Sequence, residues 1–164
     1  MTSETTTEVK EVALWNKIKN ILENDVELQA VATNLLIKRI KIYKGTPPSI
    51  PEYPAVVLSW ERDIPTQKSK GSNGWKEEFT FNVTVLTKSY DREKREDLSL
   101  ELSNLVQESI MEKRNLDSLH DSANKWRVLD IHLIEKNYDS LAKPREFVLD
   151  AIELKFRIVT EGYL

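Results

Sequence analysis

The residues that most restrict the fold are 75–88, where Phe79, Phe81, Val83 and Val85 alternate with Thr80, Asn82 and Thr84. Successive side chains of a strand point to opposite faces, so this spacing builds a long strand with one buried and one polar face. A second alternating run, Phe147–Thr160, sets Ile152, Leu154, Phe156 and Ile158 against Glu153, Lys155 and Arg157. Ala55–Arg62 places Val56, Leu58 and Trp60 opposite Val57 and Ser59, and Trp126–Tyr138 puts Leu129, Ile131 and Leu133 together. One-sided strands of this kind pair in antiparallel sheets that meet the core through a single face.

Three segments carry helical spacing instead. In 9–24, Val12, Trp15, Ile18 and Leu22 recur at helical intervals, with Leu14 and Ile21 widening the stripe. Asp25 is placed to cap a short helix over 26–33, and Asp91 to cap one reaching about residue 113, whose apolar stripe is Leu98, Leu102, Leu105, Val106 and Ile110. The β-branched run 36–43 reads as a short strand or an extended arm. The order ααββαββ predicts an α+β fold: an antiparallel sheet of four or more strands with the helices packed on one face. At 164 residues the chain fits one domain, expected over 9–164 behind a disordered tail at 1–8.

Four of the six prolines stand in 45–54, a stiff connector leading into the strand at 55–62. The segment 63–74 has no apolar residue after Ile64 and contains Lys68 and Lys70, so it reads as a long mobile hairpin loop. With Arg62, Trp75 and Lys76 beside it, the loop is the candidate interface: a solvated loop on one reading, a docking site on the other. Of the four tryptophans, Trp15 fits the first helix's stripe. Trp60, Trp75 and Trp126 fall at or near strand ends, where a ring covers the core or anchors a contact.

Composition narrows the chemistry. There is no cysteine, and so neither a disulfide framework nor a thiolate nucleophile. The chain has two histidines. His120 lies in a polar connector without a second histidine at ligand spacing, and His132 lies on a strand, on the face opposite Leu129, Ile131 and Leu133, where it reads as packed or interfacial. No nucleophile elbow, phosphate loop or paired metal motif appears, so neither enzyme activity nor a cofactor or metal site is expected. A net charge of −3 with both signs interspersed argues against a broad phosphate-binding face, and no run of about eighteen apolar residues offers a membrane span.

The texture of "IYKGTPPSIPEYPAVVLSWERD", "WKEEFTFNVTVLTKS", "REDLSLELSNLVQESIME", "WRVLDIHLIEKNYDS" and "REFVLDAIELKFRIVTE" resembles the tail-terminator, or tail-completion, and neck proteins of long-tailed bacteriophages. The resemblance covers about 9–161 and rests on element order rather than on a catalytic signature. It implies a homo-oligomeric ring, typically hexameric, that caps the tail tube and joins it to the head-side connector. The implied partners are therefore copies of itself, the tube protein and a neck protein, with nucleic acid only passing through the lumen. The implied place is the virion's tail-neck region, after assembly in the host cytoplasm. Another head-tail joining component is the alternative. A small-ligand or nucleic-acid module would need a basic, aromatic sheet face, whereas Thr80, Asn82 and Thr84 beside Glu153, Lys155 and Arg157 are mixed in sign.

Overall fold

Three helices and six strands are laid out in the computed structural model, which describes residues 10–45, 47–50, 52–60, 67–71, 74–88, 91–111, 126–141 and 149–163. Helices α1 (Lys10–Glu23) and α2 (Val26–Asn34) precede β1 (Lys41–Lys44), β2 (Ala55–Trp60), β3 (Gln67–Gly71) and β4 (Gly74–Lys88). Helix α3 (Arg92–Met111) then leads to β5 (Trp126–Leu141) and β6 (Leu149–Tyr163). The strands form one sheet in the order β1-β2-β4-β6-β5, with β3 also paired to β4. The expected α+β fold is what the chain adopts. The tail at 1–8 and His120 lie outside the described residues.

The long alternating runs meet as anticipated. β4 and β6 pair antiparallel with Phe81 opposite Phe156, Val83 opposite Leu154 and Val85 opposite Ile152. All six side chains are buried, and the two phenyl rings stack with centroids 5.3 Å apart. The core cluster takes Ile42, Val56, Leu58 and these strand positions together with Leu14, Ile18, Leu22, Leu28, Leu102, Val106 and Ile110 of the helices. Every strand residue in that cluster lies on one face of the sheet, so the helices occupy one side. The indole of Trp15 stacks on that of Trp60 at 5.5 Å, and Trp60 in turn meets Phe79 and Phe81, which joins α1 to the centre of the sheet. Val12, counted in the apolar stripe of α1, is 41% exposed, because the buried face centres on Leu14, Ile18 and Leu22.

Three features differ from the expectation. First, 63–74 is not a loop throughout: β3 pairs antiparallel with β4 from Gln67 opposite Glu78 to Gly71 opposite Gly74. β2 covers only Phe81–Leu86 of β4 on that edge, which leaves the first residues of a 15-residue strand in need of backbone partners. The hydrogen-bonding requirement overrides the polar composition of 67–71. Second, β1 is a strand and pairs parallel to β2, so the sheet is antiparallel except at this edge. Third, β5 carries register shifts between Val128 and Asp130 and between Leu133 and Glu135. An extra residue at a bulge reverses which side chains face inward. Val128 and Ile131 are therefore buried together, and Leu129 is not their partner.

Local chemistry ends and starts the elements. The Asp25 carboxylate accepts the Leu28 N–H at 2.8 Å and caps α2 as its sequence suggests. At the other end the Leu36 N–H reaches Thr33 O and the Ile37 N–H reaches Ala32 O, the paired bonds of a Schellman ending. Glycine usually occupies the left-handed position of that motif, yet Leu36 holds it at φ 59°. From there the chain enters β1 under the control of one amide. Gln29 accepts the Ile40 N–H at 2.8 Å and donates to Ile40 O at 3.2 Å and Leu22 O at 3.3 Å. Gln29→Ala strands these backbone groups in a partly buried site, an expected loss of about 1–3 kcal/mol by chemical denaturation.

Candidate interaction surfaces

The residues singled out as an interface converge on the β3–β4 hairpin. Lys68 is in register with Glu77, Ser69 with Lys76, and Lys70 with Trp75. On the far side of β4, Trp75 stands opposite Gly162 and Lys76 opposite Glu161 of β6. Lys76 is exposed, and Arg62 lies outside the described residues. The hairpin thus gathers Lys68, Lys70, Trp75 and Lys76 on adjoining strands. Trp126, also opposite Gly162, is 3% exposed and belongs to the core.

An anchored charge row crosses the sheet beside this hairpin. Glu161 is 3% exposed, and Arg127 of β5 donates to its Oε2 from Nη2 at 2.8 Å and from Nε at 3.2 Å. Arg127, Glu161 and Lys76 occupy consecutive strands at one level, positive, negative, positive. Farther along the same face come His132, Arg157 and Thr80, then Glu135, Lys155 and Asn82. His132 Nδ1 sits 3.0 Å from the Asp130 carboxylate, and the pair is largely exposed. Across β5, β6 and the middle of β4 the helix-free face is polar and mixed in sign, as its alternation indicated, whereas at β2 it carries Ala55 and Val57, which are buried.

A second polar cluster, missed in the sequence, lies under the start of α3. Arg95 Nε is 2.9 Å from Asp150 Oδ2, with side chains 4% and 0% exposed. The Tyr138 hydroxyl donates to the same oxygen at 2.7 Å. Beside them the Thr87 and Ser99 hydroxyls share a short hydrogen bond, both fully buried. These contacts tie the first turns of α3 to β4, β5 and β6, where α3 packs on the sheet. The signal was present in the spacing: Arg95, Ser99, Leu102, Val106 and Ile110 follow one helical stripe, and Asp150 falls on the same alternation as Ile152 and Leu154.

Desolvation around its hydroxyl, then the hydrogen bond to the Asp150 carboxylate, raise the Tyr138 phenol from 10.0 to about 12. The folded state holds that proton more tightly than the unfolded chain. Its contribution is complete below pH 10 and is lost as pH rises through 12. In an ultraviolet phenolate titration, Tyr138→Phe should delete a transition at about pH 12, and the wild-type melting temperature should fall more steeply over that range than the variant's. Burial also lowers the Lys136 ammonium, whose Nζ donates to Asn104 Oδ1 at 2.9 Å.

No group of three or more histidine, aspartate or glutamate side chains placed to hold a metal occurs among the described residues. No helix among them is long and apolar enough to cross a membrane. Comparison with solved structures finds the same architecture elsewhere. The fold is shared with a chain of a virion. That chain comes from the virion of a native gene transfer agent (GTA) particle and superposes with a TM-score of 0.65 at 16% identity. The match covers 95% of this chain and 100% of the other. No protein-family model matches the sequence, and no curated protein does.

Proposed function

We propose that this chain is a non-enzymatic structural protein of a phage-like virion, and within that class a tail terminator. The supporting observation is the whole-length fold shared with a chain of the gene transfer agent virion. The element order quoted above, which resembles tail-terminator and neck proteins, narrows the class. In this reading copies of the chain form a ring on the end of the tail tube, stop its growth and present a surface to the head-side neck. The exposed mixed-sign sheet face and the Lys68–Lys76 hairpin supply contact surfaces without chemistry. The place of action is the tail-neck region of the particle.

The test adds the purified protein to polymerising tube subunits of the cognate particle and measures tube lengths by electron microscopy. A terminator shortens the distribution and appears as a cap on one end. Tubes that grow unchanged, with the protein found instead on isolated head connectors, would move it to another joining component. A Lys68→Glu, Lys70→Glu variant should fold normally and cap poorly, because both positions lie on a peripheral strand.

A further inference from the structure

β1 lies at one edge of the sheet, so half of its backbone groups face away from β2. It runs parallel to β2 with Lys44 opposite Leu58, and the Gly45 N–H donates to Leu58 O. Backbone groups of successive strand residues point alternately to the two sides, so Lys41, Tyr43 and Gly45 bond β2 while Ile40, Ile42 and Lys44 turn theirs outward. At Ile40 a side chain takes the place of the missing neighbour. Gln29 accepts the Ile40 N–H at 2.8 Å and donates to its carbonyl at 3.2 Å, supplying the acceptor and donor that an adjoining strand would supply. The same amide nitrogen donates to Leu22 O at 3.3 Å, which holds it to the end of α1. On either side, Arg39 reaches Glu23 and Lys44 reaches Asn16, so the flanks of this edge are also tied to α1. The opposite edge, β5, is broken instead by its two bulges.

We infer that Gln29 is a surrogate strand: its amide closes the β1 edge to strand addition and keeps this chain from associating edge to edge. A free sheet edge is a template for any extended segment. With Ile40 occupied, only Ile42 and Lys44 offer outward groups, fewer residues than a paired strand ordinarily spans. With Ile40 released, three alternate residues present a continuous row. Exposed Lys38, Lys41 and Lys44 repel an identical strand, yet they attract an acidic one, so charge alone leaves the edge open to half of its possible partners. The amide excludes both kinds, because it occupies the backbone groups themselves.

The test begins with amide hydrogen exchange on the full wild-type chain. The Ile40 and Tyr43 N–H groups should be protected, and those of Ile42 and Lys44 should exchange freely. Equal protection of all four would mean that another segment already covers the edge, and would overturn the inference. Gln29→Ala is then compared by sedimentation with Val106→Ala, which trims a buried α3 side chain away from this edge, at urea concentrations that leave equal fractions folded. Opening Ile40 gives an incoming strand two more hydrogen bonds, so Gln29→Ala should form species larger than the wild-type assembly at a concentration roughly tenfold lower than Val106→Ala. Adding Lys44→Pro should abolish those species, because the Lys44 N–H takes no part in the β1–β2 pairing and a proline there obstructs a new strand without breaking the existing ladder. Equal association of the Gln29 and Val106 variants would show that lost stability alone exposes an adhesive surface. Large species that persist with Lys44→Pro would put the contact elsewhere. Either result overturns the role given to Gln29.

Discussion

Asp150→Ala is expected to destabilise the fold by about 3–5 kcal/mol, since it leaves the Arg95 guanidinium buried without its counter-ion. Arg95 and Asp150 are 3% and 0% exposed, so water cannot take the place of either partner. Arg95→Ala should cost a similar amount by leaving the buried carboxylate without its counter-ion and with only a neutral hydrogen bond from the Tyr138 hydroxyl. The paired replacement Arg95→Met with Asp150→Leu should recover most of the loss, or exceed wild type, because two well-packed apolar groups avoid desolvating two charges. Tyr138→Phe should cost only about 1 kcal/mol, for it removes one hydrogen bond at a residue that is 45% exposed. Urea unfolding of the set measures this hierarchy. Equal, small losses for all the single variants would show that the pair contributes little to holding α3 on the sheet.

Phe81→Ala and Phe156→Ala should each lower stability by about 3–5 kcal/mol through lost burial and the cavity left behind. Both rings are 0% exposed and stack across the β4–β6 pairing at an interplanar angle of 17°. The double variant should lose less than the sum, with a coupling of about 0.5–3 kcal/mol, because the first truncation already removes the contact that the second would break. Thr80→Ala, one residue away on the helix-free face, should shift the midpoint by about 0.5 kcal/mol or less. A large loss at Thr80 and a small one at Phe81 would mean that a partner, and not the helices, covers the important face.

The hairpin was partly legible. Lys68, Lys70, Trp75 and Lys76 stood out by charge and placement, and the structure does bring them onto neighbouring strands. That 67–71 is a strand could not be read from its polar residues, because β3 exists to satisfy backbone groups of β4 beyond the reach of β2. Leu36 was hidden for a different reason. A leucine after a helix ordinarily reads as core, and only the backbone angle and the exposure show it turned outward.

What the sequence determined by itself was the three helices, the strands β2, β4, β5 and β6, and the inward faces of β4 and β6. Side-chain direction in a strand has a strict period of two, so Phe79–Val85 and Ile152–Ile158 declare their inward face locally. The Asp25 cap and the α3 stripe are local in the same sense. Only the tertiary structure decided the parallel pairing of β1, the insertion of β3, the bulges that put Val128 with Ile131, and the meeting of Arg95 with Asp150. Each of these depends on which segments lie beside one another, and distant backbone and charged groups must find partners that no short window of sequence contains.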